Sequence, residues 1–248
     1  MIKRTLYFRN PAYLKTENEQ LVAQLQNEAV ETKSIPIEDI GILILDHRQI
    51  TITQALMAKL LANNSAVITC DETHHPTGML LSLDGNSLQS KMFQIQTEAS
   101  IPLKKQLWQQ TVAAKIQNQA GMLSFQRAEH QLLLNLAASV KSGDSDNAEA
   151  QAAAYYWKKV FPATLSFRRE RHGPPPNNLL NYGYAILRAM LARSLVASGL
   201  LPTLGIHRRN QYNAYCLADD VMEPYRPFVD YVVFQIMRNN GAYLEMSN

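Results

Sequence analysis

The sequence predicts an α+β chain, with a β-sandwich-like N-terminal domain over residues 1–83 followed by an all-α domain over residues 84–248. Three observations predict it. Short β-rich runs separated by polar breaks fill the first third; apolar residues recur at helical spacing beyond Asp84; and the interruptions in that later part are rich in Gly, Pro, Ser and Asp.

In the first part, Thr5 to Arg9, Ile40 to Leu45, Ser65 to Thr69 and Met79 to Leu83 read as strands. One helix interrupts them, from Thr53 to Ala62, where Leu56, Lys59 and Leu60 fall at helical spacing. Beyond Asp84, Leu103, Leu107, Val112 and Ile116, and then Leu132, Leu133 and Leu136, mark helices with polar faces between them. Lys141 to Asn147 predicts a loop, with Asp146 as the N-cap of a helix that carries Glu149 and runs to Val160. Gly173 to Pro176 predicts a second loop. Asn177 is then expected to cap a helix from Asn178 to Ser198, stopped by Gly199 with Pro202 beyond it.

At 46% hydrophobic residues the chain has ample material for a core, yet no apolar run approaches membrane-spanning length and the N-terminus lacks an apolar signal core. A cytoplasmic location is expected. Cys70 and Cys216 sit among apolar neighbours and read as free thiols rather than a disulfide or metal pair. The net charge of +3 hides a local +6 over residues 161–210, carried by Arg168, Arg169, Arg171, Arg188, Arg193, Arg208 and Arg209. Guanidinium forks suit phosphate, and a solvated charged face would use the same residues.

Three segments bear candidate chemistry. Glu149 lies three residues after Asp146, a position that serves either a capping box or a carboxylate projecting into a cleft to hold a cation. His207, between Leu204-Gly205-Ile206 and Arg208-Arg209, falls in a turn rather than on an apolar helical face, as a working or a hydrogen-bonded structural imidazole. Asp220 and Glu223 are spaced to share a helical face, either as metal donors or as acids favoured by the helix dipole. Two carboxylates and an imidazole suit Mg²⁺ or Mn²⁺ better than structural zinc. With the arginine-rich segment, this points to phosphoryl transfer on nucleic acid. A competing cluster, Asp71-Glu72-Thr73-His74-His75-Pro76, reads as a polar turn between strands.

Several longer runs stand in order along the chain: Ser34-Ile35-Pro36-Ile37-Glu38-Asp39-Ile40-Gly41, Leu107-Trp108-Gln109, Lys115-Ile116-Gln117-Asn118-Gln119, and Glu149 followed by Tyr155-Tyr156-Trp157. They continue through Asn177-Asn178-Leu179-Leu180-Asn181-Tyr182-Gly183-Tyr184, Gly205-Ile206-His207 and Asp220-Val221-Met222-Glu223-Pro224-Tyr225-Arg226-Pro227. On these residues rests a resemblance, nearly end to end, to the CRISPR-associated integrase family that inserts new spacers, in its type II form. It implies a β-rich dimerisation domain and a helical catalytic domain, with Glu149, His207 and Glu223 as ligands of Mg²⁺ or Mn²⁺ and Asp220 beside them. It also implies a homodimer that joins a small ferredoxin-like partner in a heterohexamer, holding duplex DNA with single-stranded 3′ ends. The implied reaction is attack of a 3′-hydroxyl on a phosphodiester at a CRISPR repeat boundary. Asn178 and Tyr182 would position DNA. Arg208 stands where relatives often carry a second His, and the sequence stops at Asn248 where they continue, so metal binding is expected to persist while integration with the partner weakens. A non-catalytic DNA-binding scaffold and a general metal-dependent branched-DNA nuclease are the competing functions.

Overall fold

The computed structural model describes residues 3–25, 32–162, 165–171 and 173–239. The chain forms two compact units, one of residues 1–94 with 189–201, the other of residues 95–188 with 202–248.

The first unit is built from β1 (Arg4–Phe8), β2 (Ala12–Glu17), β3 (Gln20–Leu25), β4 (Thr32–Pro36), β5 (Ile40–Leu45), β6 (Ile50–Ile52), α1 (Gln54–Ala62), β7 (Ala66–Cys70) and β8 (Pro76–Leu80). These strands make two four-stranded sheets, ordered β1-β5-β7-β8 and β4-β3-β2-β6. In the first, β1, β5 and β7 are parallel and β8 returns antiparallel on the edge. The central strand β5 is buried from Ile40 through Ile44, as a parallel strand covered on both faces must be. In the second, β2 and β3 form a hairpin whose turn residues Asn18 and Glu19 both have positive φ, 48° and 57°. That pair of left-handed residues matches the twist of the flanking strands. Leu14 and Leu21 from one sheet and Ile40, Leu43 and Val67 from the other share a core with Leu56 and Leu60 of α1. The Thr53 hydroxyl caps α1, accepting from Leu56 N at 3.3 Å.

Several boundaries differ from expectation for local reasons. The last strand covers Pro76–Leu80 rather than Met79 to Leu83, because a tight turn at 71–75 brings Pro76 opposite Cys70. The strands β2, β3, β4 and β6 carry polar residues such as Lys15, Gln24 and Lys33 that dilute the β signal. The expected division at 83/84 falls instead at 94/95, and residues 189–201 join the first unit. There Arg193 Nε donates to the Asn64 carbonyl, and Asn86 Nδ2 donates to the Ala197 carbonyl at 2.9 Å. Those bonds bind a helix end to a domain that the sequence pattern had separated from it.

The helices beyond α1 are α2 (Gln89–Glu98), α3 (Ile101–Phe125), α4 (Gln131–Ser139), α5 (Ala148–Trp157), α6 (Asn177–Ala197), α7 (Cys216–Val221) and α8 (Arg226–Asn239). In the second unit α3 is the organising element. Trp108, Val112, Ile116, Ala120 and Leu123 form its buried stripe, and α4, α5 and α8 pack on it. Below that stripe, Asp230 of α8 is fully enclosed and accepts hydrogen bonds from the hydroxyls of Tyr156 on α5 and Tyr184 on α6. Three helices are thereby tied to one carboxylate. No helix among the described residues is long and apolar enough to cross a membrane.

Candidate active site

Glu149 enters the site from the first turn of α5. The expected cap, Asp146, does not fill that role: it pairs with Lys141 at 2.6 Å. Asp144 does instead, its carboxylate accepting from Ala148 N at 2.8 Å and Glu149 N at 3.1 Å. The chain passes through left-handed Gly143, φ 73°, to bring Asp144 under the helix end. The capped turn presents the Glu149 side chain to α3, where Lys115 Nζ meets its Oε1 at 2.6 Å.

Glu223 arrives from a separate element. It opens a 3-10 turn, Glu223–Tyr225, wedged between α7 and α8. Pro224 fits the start of that turn, where a missing N–H costs nothing. Asn118 Nδ2 of α3 donates to the Pro224 carbonyl at 2.7 Å and pins the turn from below. The Glu223 carboxylate is 2% exposed, yet surrounded by cations: Arg208 Nη2 at 2.5 Å, Lys115 Nζ at 2.6 Å and Arg226 Nε at 3.2 Å. Burial alone would push its carboxyl up, but Arg226, Lys115 and Arg208 outweigh it and hold the group down at about 2. The Lys115 and Arg226 contacts are ionic without hydrogen-bond angles, so Glu223 Oε2 and Arg226 Nε have no directed partner.

His207 stands at the exposed edge of the same unit. Its imidazole stacks on the buried indole of Trp108, with centroids 4.3 Å apart and planes 4° from parallel. Its loop is fixed by Asp220, wholly buried, whose Oδ2 accepts from His207 N at 2.8 Å and Arg208 N at 3.2 Å. Asp220 Oδ1 takes Arg208 Nη1 at 3.0 Å, so one carboxylate orders both residues after Gly205-Ile206. Glycine is required at 205: a Cβ there would lie 2.5 Å from the Arg208 carbonyl and 2.9 Å from Asp220 Oδ2.

The structure thus brings Glu149 and Glu223 together on Lys115, with Asp220 linked to the pair through Arg208. Among the described residues no three His, Cys, Asp or Glu side chains are grouped at metal-binding spacing, and the His207 ring rests on Trp108. The donor set still fits a hard divalent cation. Two carboxylates from independent elements converge on a single cationic centre, and one buried oxygen, Glu223 Oε2, lacks a directed donor.

The arginines divide into two groups. Arg169 donates to Asn177 and Asn181, Arg188 pairs with Asp219, Arg193 bonds the Asn64 carbonyl, and Arg208 pairs with Asp220 and Glu223. Arg168, Arg171 and Arg209 remain exposed, Arg168 beside Glu170. Four of the seven arginines are thus engaged within the fold, because half-buried guanidiniums must be paired there. Asn178 and Tyr182 lie one turn apart on α6, half-buried, with the Asn178 Oδ1 carrying no hydrogen bond. Asn177 does not cap α6 with its side chain; it cross-links the preceding loop through Glu170 N and the Arg168 and Pro174 carbonyls.

The competing cluster at 71–76 is a turn. Asp71 Oδ1 accepts from Thr73 N, Thr73 Oγ1 and His75 N, and His74 reaches back to Asp46 at 2.9 Å. Both cysteines are free; burial first, then Asp46, pushes the Cys70 thiol up to about 12. The participants that sequence reasoning left without a role are Lys115, Trp108, Asn118, Arg226 and Asp144. One signal was present: Lys115 interrupts the buried stripe of α3 directly beside Ile116.

The family model described as CRISPR associated protein Cas1 matches residues 6–243. A protein named CRISPR-associated endonuclease Cas1 from Neisseria meningitidis is 37% identical over 100% of this chain and 80% of its own length. Another of that class, from Pyrobaculum aerophilum, is 27% identical over 82% of this chain and 73% of its own. Among solved structures, a casposase bound to integration product superposes with a TM-score of 0.76 at 20% identity, covering 97% of this chain and 74% of that one. A Cas1 protein from Thermotoga maritima gives 0.75 at 15% identity, with 96% and 79% covered.

Proposed function

We propose that this chain, which belongs to the Cas1 family of CRISPR-associated proteins, is a metal-dependent DNA integrase of CRISPR adaptation. In the proposed reaction the 3′-hydroxyl of a short DNA fragment attacks a phosphodiester at a CRISPR repeat boundary. A new P–O bond forms as the bond to the repeat's own 3′-oxygen breaks; the attacking hydroxyl gives its proton to solvent and the leaving 3′-oxygen takes one up as a hydroxyl. One phosphodiester replaces another, so the step needs neither a covalent protein intermediate nor an external energy source.

The observation that carries this reading is the meeting of Glu149 and Glu223, from α5 and from the turn before α8, on one cationic centre. Glu149, Glu223 and His207 would hold Mg²⁺ or Mn²⁺. Such an ion, when bound, polarises the scissile phosphate and stabilises charge on the attacking and leaving oxygens. The chain's own residues prepare that position. Arg226 and Arg208 keep Glu223 ionised despite its burial. Asp220 holds the loop that carries His207, and Trp108 fixes the plane of the imidazole. Exposed Arg168, Arg171 and Arg209 supply sequence-independent phosphate contacts. Asn178 and Tyr182 on α6 position the DNA strand.

The relatives support this assignment. The Neisseria meningitidis protein is named an endonuclease, and one structural neighbour is a casposase bound to integration product. A further neighbour, titled a Cas6-RT-Cas1–Cas2 complex, has a TM-score of 0.74 at 24% identity and supports a second Cas protein as partner. We take that partner to be a small ferredoxin-like protein that joins homodimers of this chain in a heterohexamer.

A strand-transfer assay tests the proposal. Purified protein, its partner and a fragment with free 3′-hydroxyls are incubated with repeat-containing plasmid, with and without Mn²⁺. Cation-dependent joining at the repeat boundary is expected, lost in Glu149→Ala and His207→Ala. Joining that survives those substitutions, or nicked products with no preference for the repeat, overturns it.

A further inference from the structure

We infer that Lys115 is a tethered competitor for the cation position. Its ammonium holds Glu149 and Glu223 together when no divalent ion is bound, must swing aside to admit one, and so sets the metal affinity of the site. The inference rests on the metal-dependent reading above and adds to it a residue that limits, rather than supplies, metal binding.

The geometry distinguishes Lys115 from the neighbouring arginines. Its Nζ is 2.6 Å from Glu149 Oε1 and 2.6 Å from Glu223 Oε2, and its side chain is 11% exposed. A single point charge therefore sits between two carboxylates brought from different elements. A divalent cation coordinated by both would occupy the same space, so ammonium and metal exclude one another. Arg208 does not stand there. Its guanidinium is locked by Asp220 Oδ1 and the Asp219 carbonyl, and it touches only the far oxygen of Glu223, Oε1. Arg226 is likewise held on Oε1, with its guanidinium over the Tyr184 ring at 4.6 Å.

Lys115 is also the contact best able to yield. A lysine head moves several ångströms by rotation about its flexible stem, without displacing the helix that carries it. When the ammonium leaves it gives up one hydrogen bond, to Glu149 Oε1 at 2.6 Å, which water can replace at that 25% exposed carboxylate, whereas its contact with Glu223 Oε2 is ionic only. The two carboxylates respond unequally to its removal. Among the described residues Lys115 is the cation paired with Glu149, whereas Glu223 retains Arg208 and Arg226. Withdrawal of Lys115 leaves Glu149 as an uncompensated carboxylate facing the cation position, which favours entry of a divalent ion.

A purely structural strut makes the opposite prediction: without Lys115 the carboxylates separate and metal binding weakens. Calorimetric titration of Mn²⁺ into the full chain at one fixed pH separates the two. Lys115→Met is expected to bind Mn²⁺ about tenfold more tightly than the wild type, a difference of one decade in Kd. That gain should vanish when Glu149→Gln is added. Unchanged or weaker binding in Lys115→Met, with wild-type binding still dependent on Glu149, overturns the inference and leaves the metal site standing. Absence of Glu149-dependent Mn²⁺ binding in every variant overturns both. If Lys115→Met loses its far-ultraviolet circular dichroism, Lys115→Gln reads the same effect, because it removes the charge and keeps a hydrogen-bonding side chain.

Discussion

The imidazole of His207 lies flat on the indole of Trp108, 4.3 Å between centroids, with the ring planes 4° from parallel. Trp108 is 2% exposed and belongs to the buried stripe of α3, so it is a rigid platform for an exposed imidazole. Trp108→Leu should cost about 3 kcal/mol of stability through the cavity it leaves. Because the imidazole loses its fixed plane, strand transfer should fall by about tenfold or more, a barrier increase of about 1.4 kcal/mol. Trp108→Phe should retain most of the rate. Urea unfolding and single-turnover joining, measured on the same preparations, check both expectations.

Asp220 provides a second test, because its two oxygens accept from His207 N, Arg208 N and Arg208 Nη1. Asp220→Ala leaves the part-buried His207 N and Arg208 N without their acceptor, while Arg208 Nη1 keeps the Asp219 carbonyl, at a cost of about 2 kcal/mol. Asp220→Asn keeps one acceptor oxygen and should fall between wild type and Ala in both melting temperature and joining rate. Equal behaviour of Asn and Ala would argue that Asp220 acts by charge alone.

The enclosed carboxylate of Asp230 gives the chain a pH signature. Burial raises its pKa from 3.8 to about 6, only partly opposed by hydrogen bonds from Tyr184 and Tyr156 and by the charges of Arg226 and Lys115. Because the native state holds this proton more tightly than the unfolded chain, the group favours folding below 3.8 and loses that contribution as pH rises through about 6. The difference corresponds to roughly 2 to 3 kcal/mol. Asp230→Asn does not titrate, so its stability relative to wild type should rise by that amount between about pH 4 and about pH 7. Parallel denaturation curves at the two pH values measure it.

Gly183 of α6 packs against Val229 of α8, and a Cβ at 183 would lie 2.5 Å from Val229 Cγ1. Valine has few χ1 alternatives in a helix, so Gly183→Ala should destabilise the second unit by about 1 to 2 kcal/mol despite its better helix propensity. Val229→Ala in the same chain should recover most of the loss. A double-mutant cycle by thermal unfolding provides the coupling.

How much of this was legible beforehand depends on the kind of signal. The stripe on α3 and the helix at Gln54–Ala62 follow from periodicity, since each buries one continuous face, and the strand at Ile40–Leu45 follows from its short unbroken apolar run. The β2–β3 hairpin did not: its turn is Asn18-Glu19, and Glu in a left-handed position is not a turn signature. At the site, Glu149 and Glu223 stood out as acids in first helical turns. Lys115 did not, because a lysine in a helix is ordinarily solvated and only the third dimension shows that its head lies between two carboxylates. The pairing of the arginines was not legible either, because density along the sequence does not show that Arg169, Arg188, Arg193 and Arg208 bond partners within the fold.

The most direct measurement is the anomalous scattering of manganese in crystals grown with Mn²⁺. A peak within coordination distance of Glu149, Glu223 and His207, with Lys115 Nζ displaced from between the two carboxylates, is the predicted result. Saturating Mn²⁺ with no peak at that position, and Lys115 still bridging Glu149 and Glu223, would contradict the account.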